Sequence, residues 1–388
     1  MRPDLEATLA ALLDDALAAG LGSAAAVSVG DGGREVARLV RGHTRRVPTL
    51  GAEVTAASRF DLASLTKPMA TAAVAMAMVA RGRLTLDAPV TRWLSGAVAT
   101  AGATVAQLLG HASGTIAHGR YFERIWAGDL AGAITRHEAL IAHAAREPLA
   151  GAPGGAARYS DLGYILLGAL LERASDATLD ELFAREVAAP LGMSTAGFVR
   201  LGGPPTPITD VVATELDDAP APRDGAGAAV DGRTGRRGLV CGEVHDENAH
   251  AGGGVHGHAG LFGTIGDVAA FARAMTALAR GEPVGAITPT TFSTFATTSA
   301  APGTSWRLGW DTASSTPGVS HAGDRWPRQH ALGHLGFTGT SLWLDLAHGR
   351  WAGLLTNRVH PTRDGTADAI KALRRAIGDA TIAALDHG

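Results

Sequence analysis

The sequence predicts an α+β fold: an antiparallel sheet built from both chain ends, flanked by N- and C-terminal helices, with a helical lobe inserted between. Three observations predict it. The pattern runs helix, strands, a long helical middle, strands, helix, which brings both ends of the chain to one sheet. The 388 residues exceed one minimal domain and suit two lobes or one elaborated α/β unit. With 46% hydrophobic and 18% charged residues, the chain is able to bury a large core.

Each element follows from a local pattern. Residues 1–20 place leucines at 5, 9, 12, 13 and 17, the spacing of one helix face, with acids on the other. Asp4, Glu6, Asp14 and Asp15 also spoil the pattern of a secretory signal, so a surface helix on a cytoplasmic protein is expected. Residues 24–30 and 35–42 are short β-type runs around Asp31-Gly32-Gly33, a hairpin signal. A helix rich in Ala and Met is predicted over 64–81, stopped by Arg81-Gly82. Shorter helices follow at 104–111, 162–174 and 179–188, the last ending before Pro190. Residues 200–240, rich in Pro, Asp, Gly and Ala without an aromatic, read as a long surface connection. Three glycines at 252–254 precede Leu261-Phe262 and a helix over 267–280. Strands at 341–345 and 351–356, with His348-Gly349 as the turn, lead to a last amphipathic helix at 366–386. The division expected is a sheet lobe from 1–63 and 241–388, a mainly helical lobe from 64–200, and a connection at 201–240.

Composition narrows the function. The 34 basic and 37 acidic residues leave a net charge of −3, which removes an electrostatic case for nucleic acid. A single cysteine, Cys241, excludes a disulfide framework and an all-cysteine zinc site, and it reads as a packed small side chain rather than a nucleophile. No uninterrupted run of 18 apolar residues is present, so no membrane span is expected. Only Lys67 and Lys371 break an otherwise arginine-only set of basic residues. A lysine amine is able to lose its proton where guanidinium is not, so a retained lysine draws attention.

Three short motifs carry chemistry. Ser64-Leu65-Thr66-Lys67 sets a hydroxyl and an amine one helical turn apart at a helix start, where free N–H groups and the helix dipole favour negative charge. A nucleophilic serine needs such a base and such donors; an isolated match equally describes an N-cap serine beside a solvated lysine. Tyr159-Ser160-Asp161 follows a Pro-Gly-Gly turn and opens the helix at 162. A phenol beside an ammonium group is able to serve as a general base; the plainer alternative is a half-buried loop aromatic. Gly333-His334-Leu335-Gly336-Phe337 would let a ligand approach backbone N–H groups, although His-x-Gly alone has little specificity. His245, Asp246, His250, His256 and His258 form a histidine-rich stretch whose spacing fits no helical His-x3-His pair. It reads as a loop hydrogen-bonded through His245 and Asp246 at the mouth of the site, in preference to a metal centre. Trp306, Trp310 and Trp326 are candidates for an acyl pocket, with at least two expected in the core.

Taken in order, the three motifs resemble those of the serine β-lactamase and penicillin-binding-protein superfamily, closest to its class C-like branch of esterases and D-amino-acid peptidases. The resemblance extends over 62–94, 104–114, 153–193, 242–263 and 333–361, within a total reach of about 20–375. It implies a β-lactamase/transpeptidase-like fold and a serine hydrolase acting on an ester, lactone or amide of a small molecule. It further implies Ser64 as the acylated nucleophile and Lys67 with Tyr159 as the groups that move its proton. His334 would adjust the electrostatics of Tyr159, and the backbone N–H groups of Ser64 and Phe337, beside Gly336, would form the oxyanion hole. No metal or organic cofactor is implied, and a small molecule is the partner expected. No oligomeric state follows from the sequence.

Two departures stand out. Asp161 occupies the position where the family has asparagine, and an anion there should keep Lys67 protonated and leave Tyr159 as the base, its pKa lowered by Lys67. Leu335 replaces a threonine or serine that assists carboxylate binding, which favours esters or neutral amides. The alternatives are an acyltransferase to a natural-product acceptor, a β-lactamase or D-Ala peptidase, and a non-catalytic binding member of the family.

Overall fold

The structure is a computed structural model, and it describes residues 3–202, 209–217 and 238–386. Its central sheet has five antiparallel strands: β1 (Ala24–Asp31), β2 (Arg34–Gly42), β3 (Ala331–Leu335), β4 (Ser341–Asp345) and β5 (Arg350–Thr356). Their spatial order is β2-β1-β5-β4-β3. The N-terminal hairpin turns at Gly32 and Gly33, both with positive φ (55° and 80°), as a two-residue hairpin loop with the right twist requires. Strand β1 pairs with β5 from Ala25↔Thr356 to Gly30↔Trp351, which joins the two chain ends in one sheet.

Strand β3 is a finding beyond the expected pair at 341–345 and 351–356. The sequence hides it because Gly333 and His334 are poor strand formers. The Trp343 ring of the neighbouring strand lies where a Gly333 Cβ would stand, 2.1 Å from the nearest ring atom. That large ring covers the glycine and supplies the packing the strand lacks.

Alternation on β1 divides the core into two layers. Ala25, Val27 and Val29 face Leu5, Leu9 and Leu13 of helix α1 (Pro3–Ala18) and Ile370 and Ile377 of helix α5 (Ala367–Asp386). Ala24 and Ala26 face the opposite way, into the larger core that holds Trp310, Trp351, Val268 and Phe271. Helix α4 (Ile265–Ala279) packs on that side, capped by a Thr264–Asp267 box. The helical region between β2 and β3 includes α2, spanning Ala63–Ala80, and α3, spanning Asp161–Ser175. Short helices at Tyr121–Trp126, Arg136–Arg146 and Pro289–Thr297 also occur there, and the sequence pattern did not announce them. Helix α2 is long and apolar enough to pass for a membrane span, yet 83% of it is buried inside the protein.

Three expectations are corrected. Helix α2 is not a regular α-helix from Ser64: a 3-10 turn at Ala63–Leu65 and a π-helical stretch at Lys67–Ala72 precede Ala73–Ala80. The helix beginning at Leu179 does not stop before Pro190. A π-turn at Ala184–Ala188 absorbs the imino acid and the helix runs on to Leu191, closed by Gly192 in the left-handed region. The connection predicted at 201–240 is not all surface, because Val211, Val212, Ala213, Thr214 and Glu215 are buried. Residues 203–208 and 218–237 of that connection lie outside the described residues.

One buried amide joins the start of β1 to the buried run at 211–215. Asn357 Oδ1 accepts from the backbone N–H groups of Ser23 and Ala24, each at 2.9 Å. Its Nδ2 donates to Ser23 Oγ at 2.9 Å and to the Ala213 carbonyl at 2.7 Å. Asn357→Ala should therefore lower stability by about 3 kcal/mol, because two buried N–H groups and a carbonyl lose their partners. Urea unfolding of the two proteins measures this; a loss under about 1 kcal/mol would show that other contacts hold the joint.

Candidate active site

The 3-10 turn that opens α2 projects Ser64 into a cavity of about 660 Å³ bordered by Tyr159, Asp161, Trp306, His334 and Phe337. The turn is strained, since Ala63 has φ 48° without being glycine. It persists because three segments pin it. Asp61 Oδ1 accepts from the Ala63 N–H at 2.8 Å, and its Oδ2 accepts from the His245 N–H at 2.6 Å. Thr338 Oγ1 donates to the Asp61 carbonyl at 2.8 Å, and Thr340 Oγ1 to the Leu62 carbonyl at 2.9 Å. The turn after β3 is thereby stapled beside the Ser64 turn. Gly336 is essential to that approach: a Cβ there would lie 1.9 Å from Thr340 Oγ1 and 2.7 Å from the Leu62 carbonyl oxygen. Arg374, on α5, donates to the Gly336 and Thr340 carbonyls at 2.8 Å each and holds the same turn from behind.

One helical turn after Ser64, Lys67 is fully buried. Its Nζ donates to Ser64 Oγ at 3.0 Å and to the His258 carbonyl at 3.0 Å, and it lies 2.7 Å from Asp161 Oδ1. Asp161 is the first residue of α3, which Ser160 caps by accepting from the Gly163 N–H. Burial opposes the Lys67 charge, yet attraction to Asp161 and then Tyr159 raises its pKa above the ordinary 10.5. Burial likewise opposes ionisation of Asp161, but Lys67 and the contact with His118 hold its carboxyl far below 3.8. The departure from asparagine at this position thus produces a closed ion pair.

Tyr159 and His334 correct the electrostatic expectations. Burial raises the Tyr159 phenol above 10.0, and the Lys67 ammonium offsets only part of that, so the phenol is not lowered overall. The tyrosine faces the Lys67 Nζ, 4.9 Å from its ring centroid. His334 is buried on β3 with its ring 6.0 Å from that of Tyr159. Burial, then Lys67, pushes its pKa down to about 3, so it is a neutral imidazole whose Nδ1 meets the Leu335 carbonyl at 2.8 Å. It packs against the phenol and contributes no positive charge.

Phe337 is half exposed at the rim, stacked on the His245 ring at 5.8 Å and under the Arg358 guanidinium at 4.5 Å. Trp306 borders the cavity, whereas Trp310 and Trp326 are buried in the two core layers. The histidine-rich loop pairs off separately: His245 Nε2 with Glu215 at 3.1 Å, His250 Nε2 with Glu243 at 2.9 Å, and His258 Nε2 with Asp246 at 2.8 Å. Among the described residues, no three His, Cys, Asp or Glu side chains are grouped to hold a metal ion. Cys241 is exposed rather than packed, its Sγ 3.7 Å from the Val211 carbonyl oxygen.

Sequence reasoning missed several residues. The His111 ring packs tilted against Tyr159 at 4.7 Å and edge-on to Trp306 at 4.5 Å, while its Nδ1 accepts the Ser160 N–H at 3.1 Å. His118 reaches Asp161, and Asp61 pins the Ser64 turn. The partners of His111 and His118 are distant in sequence, and Asp61 joins the nearby Ala63 N–H to the distant His245 N–H, so no spacing announces them.

The ion pair has a pH signature. In Asp161→Asn the burial of Lys67 is left with little opposition, and its pKa should fall below 10.5. A folded-state value below the unfolded one makes stability rise with pH between the two values. The variant should therefore gain stability between about pH 7 and 10 while the wild type, its lysine raised, stays level there. Parallel urea midpoints over that range would show that Asp161 does not hold the charge.

Comparison with known proteins agrees with this geometry. The chain matches the family described as Beta-lactamase over residues 9–376. A protein of Escherichia coli (strain K12) named as a D-alanyl-D-alanine carboxypeptidase is 30% identical over 322 residues, covering 79% of this chain and 71% of that one. The N-acetylmuramyl-L-alanine amidase of Bacillus subtilis (strain 168) is 28% identical over 363 residues, covering 90% and 80%. Among solved structures, EstCE1, a hydrolase with promiscuous acyltransferase activity, superposes with a TM-score of 0.73 at 20% identity, covering 98% of this chain and 99% of that one. With the fold and nearly the whole length accounted for, the chain belongs to the beta-lactamase family and is a serine hydrolase.

Proposed function

We propose that this protein cleaves an ester, lactone or amide of a small molecule through a Ser64 acyl-enzyme. The observation that carries the reading is the fully buried Lys67, held between the His258 carbonyl and two groups that line the cavity, Ser64 Oγ and Asp161. A buried ammonium aimed at a serine hydroxyl is costly to build unless it serves that hydroxyl. Once the Tyr159–Lys67 pair has released one proton to solvent, Ser64 Oγ attacks the substrate carbonyl carbon and its own proton passes to the pair. The backbone N–H groups of Ser64 and Phe337 receive the oxyanion. Collapse of the tetrahedral intermediate expels the alcohol or amine, which takes the proton back from the same pair. Water then repeats the cycle in reverse to release the acid.

Leu335 puts an apolar side chain where a hydroxyl would assist a substrate carboxylate, which favours esters and neutral amides. The peptidase and amidase names of the relatives keep amide bonds within the range. An acceptor other than water is the second reading, since the cavity of about 660 Å³ is open to a small alcohol or amine.

Both members of the proton-moving pair sit above their ordinary values, 10.5 for Lys67 and 10.0 for Tyr159. Acylation should therefore accelerate with pH from about 6 to 9 without levelling off. Fluorophosphonate labelling followed by intact-protein mass spectrometry measures the rate, with Ser64→Ala taking up no label. A plateau near neutral pH would assign the base to another group. Absence of label on folded wild type would overturn the Ser64 reading.

A further inference from the structure

His118 lies at the cavity wall, part exposed, with its Nδ1 3.5 Å from Asp161 Oδ2. Lys67 holds the other oxygen, Oδ1, at 2.7 Å. One carboxylate thus stands between a permanently buried ammonium and an imidazole that exchanges protons with the cavity. We propose that His118 is a positioning residue which, when protonated, draws Asp161 away from Lys67 electrostatically and thereby eases the release of the proton that Ser64 activation requires. The inference rests on the acyl-enzyme reading above, and it concerns Asp161, a carboxylate where related sites carry an amide.

The groups around the pair support the assignment. Asp161 itself faces Lys67, His118 and, more distantly, His258. The charges acting on His118 are Asp161, Asp246 and Glu247, all acidic. Asp246 is already engaged by His258 Nε2 at 2.8 Å, and Glu247 by Arg363 at 2.7 Å. Asp161 is therefore the carboxylate that His118 touches directly, and that 3.5 Å contact leads the causes that raise the imidazole above the ordinary 6.5. Lys67 is buried with Asp161 as its carboxylate partner, so a second cation on that carboxylate weakens its hold on the ammonium proton.

The sign of the effect follows. Below the His118 pKa the imidazolium is present and the Tyr159–Lys67 pair gives up its proton more readily. Above it the imidazole is neutral and the advantage disappears. Wild type should acylate faster than His118→Gln by roughly 3- to 10-fold at pH 6, the two converging by pH 9. His118→Lys, with a fixed charge, should keep the advantage at both ends. In an Asp161→Asn background His118→Gln should change nothing, because the carboxylate that gathers the imidazolium is gone.

The experiment measures fluorophosphonate labelling rates of these proteins from pH 6 to 9, alongside NMR titration of the His118 ring in wild type and Asp161→Asn. A His118 pKa above 6.5 that drops in Asp161→Asn, together with the pH-dependent rate ratio, is the result expected. A ratio that is constant across pH, or a His118 titration indifferent to Asp161→Asn, overturns the inference while leaving Ser64 as nucleophile. Wild type that titrates as expected but takes up no label overturns the acyl-enzyme reading, and this inference with it.

Discussion

A lysine ammonium with no exposed surface is the constraint on which the site turns. Removing such a charge from water costs several kcal/mol, and the protein offsets that only by supplying an anion and hydrogen-bond acceptors at fixed positions. Each comes from a different part of the chain: Asp161 from the start of α3, the His258 carbonyl from the glycine-rich loop, and Ser64 Oγ from one turn earlier on α2. The loop reaches that depth because its glycines allow it. A Cβ on Gly257 would lie 2.2 Å from the Tyr164 carbonyl oxygen, and Thr71 Oγ1 donates to the Gly257 carbonyl at 2.7 Å. Holding the lysine therefore fixes the packing of α2, α3 and the histidine-rich loop together.

The sheet meets this assembly through the turn at 336–340. Strand β3 delivers His334 and Leu335, and the glycine that follows lets the backbone press against the Ser64 turn. Two threonine hydroxyls and Arg374 lock that contact. An oxyanion is stabilised only by donors that do not have to move at the moment of reaction. A staple between helix and sheet serves that need better than either element alone. It also explains the strain at Ala63, which would relax if the surrounding bonds were absent.

Asp161 sets the charge state of the buried lysine. An asparagine would leave Lys67 to burial and lower its pKa, whereas the carboxylate keeps it charged. Tyr159 remains a neutral phenol because burial outweighs the attraction of that charge. Neither group rests as a free base, so reactivity depends on how the pair shares its protons with its surroundings. Histidines near the pair differ accordingly: His334 is buried and pushed to neutrality, while His118 is open to the cavity and held toward its charged form.

Much of this was legible from the amino-acid order alone. The alternation on β1, the leucine spacing of α1 and the Asp-Gly-Gly turn are local patterns, and local patterns are set by the periods of strand and helix. Ser64 and Lys67 are one helical turn apart, so their contact follows from the same periodicity. The resemblance carried by the three motifs extended that to Tyr159 and His334. Tertiary structure decided what depends on distant partners. The staple from Asp61 to Thr338 spans the chain, β3 needs the Trp343 ring to cover its glycine, and the buried run at 211–215 needs Asn357. The direction in which Tyr159 titrates is likewise a balance between burial and a neighbouring charge, and burial does not exist until the chain has folded.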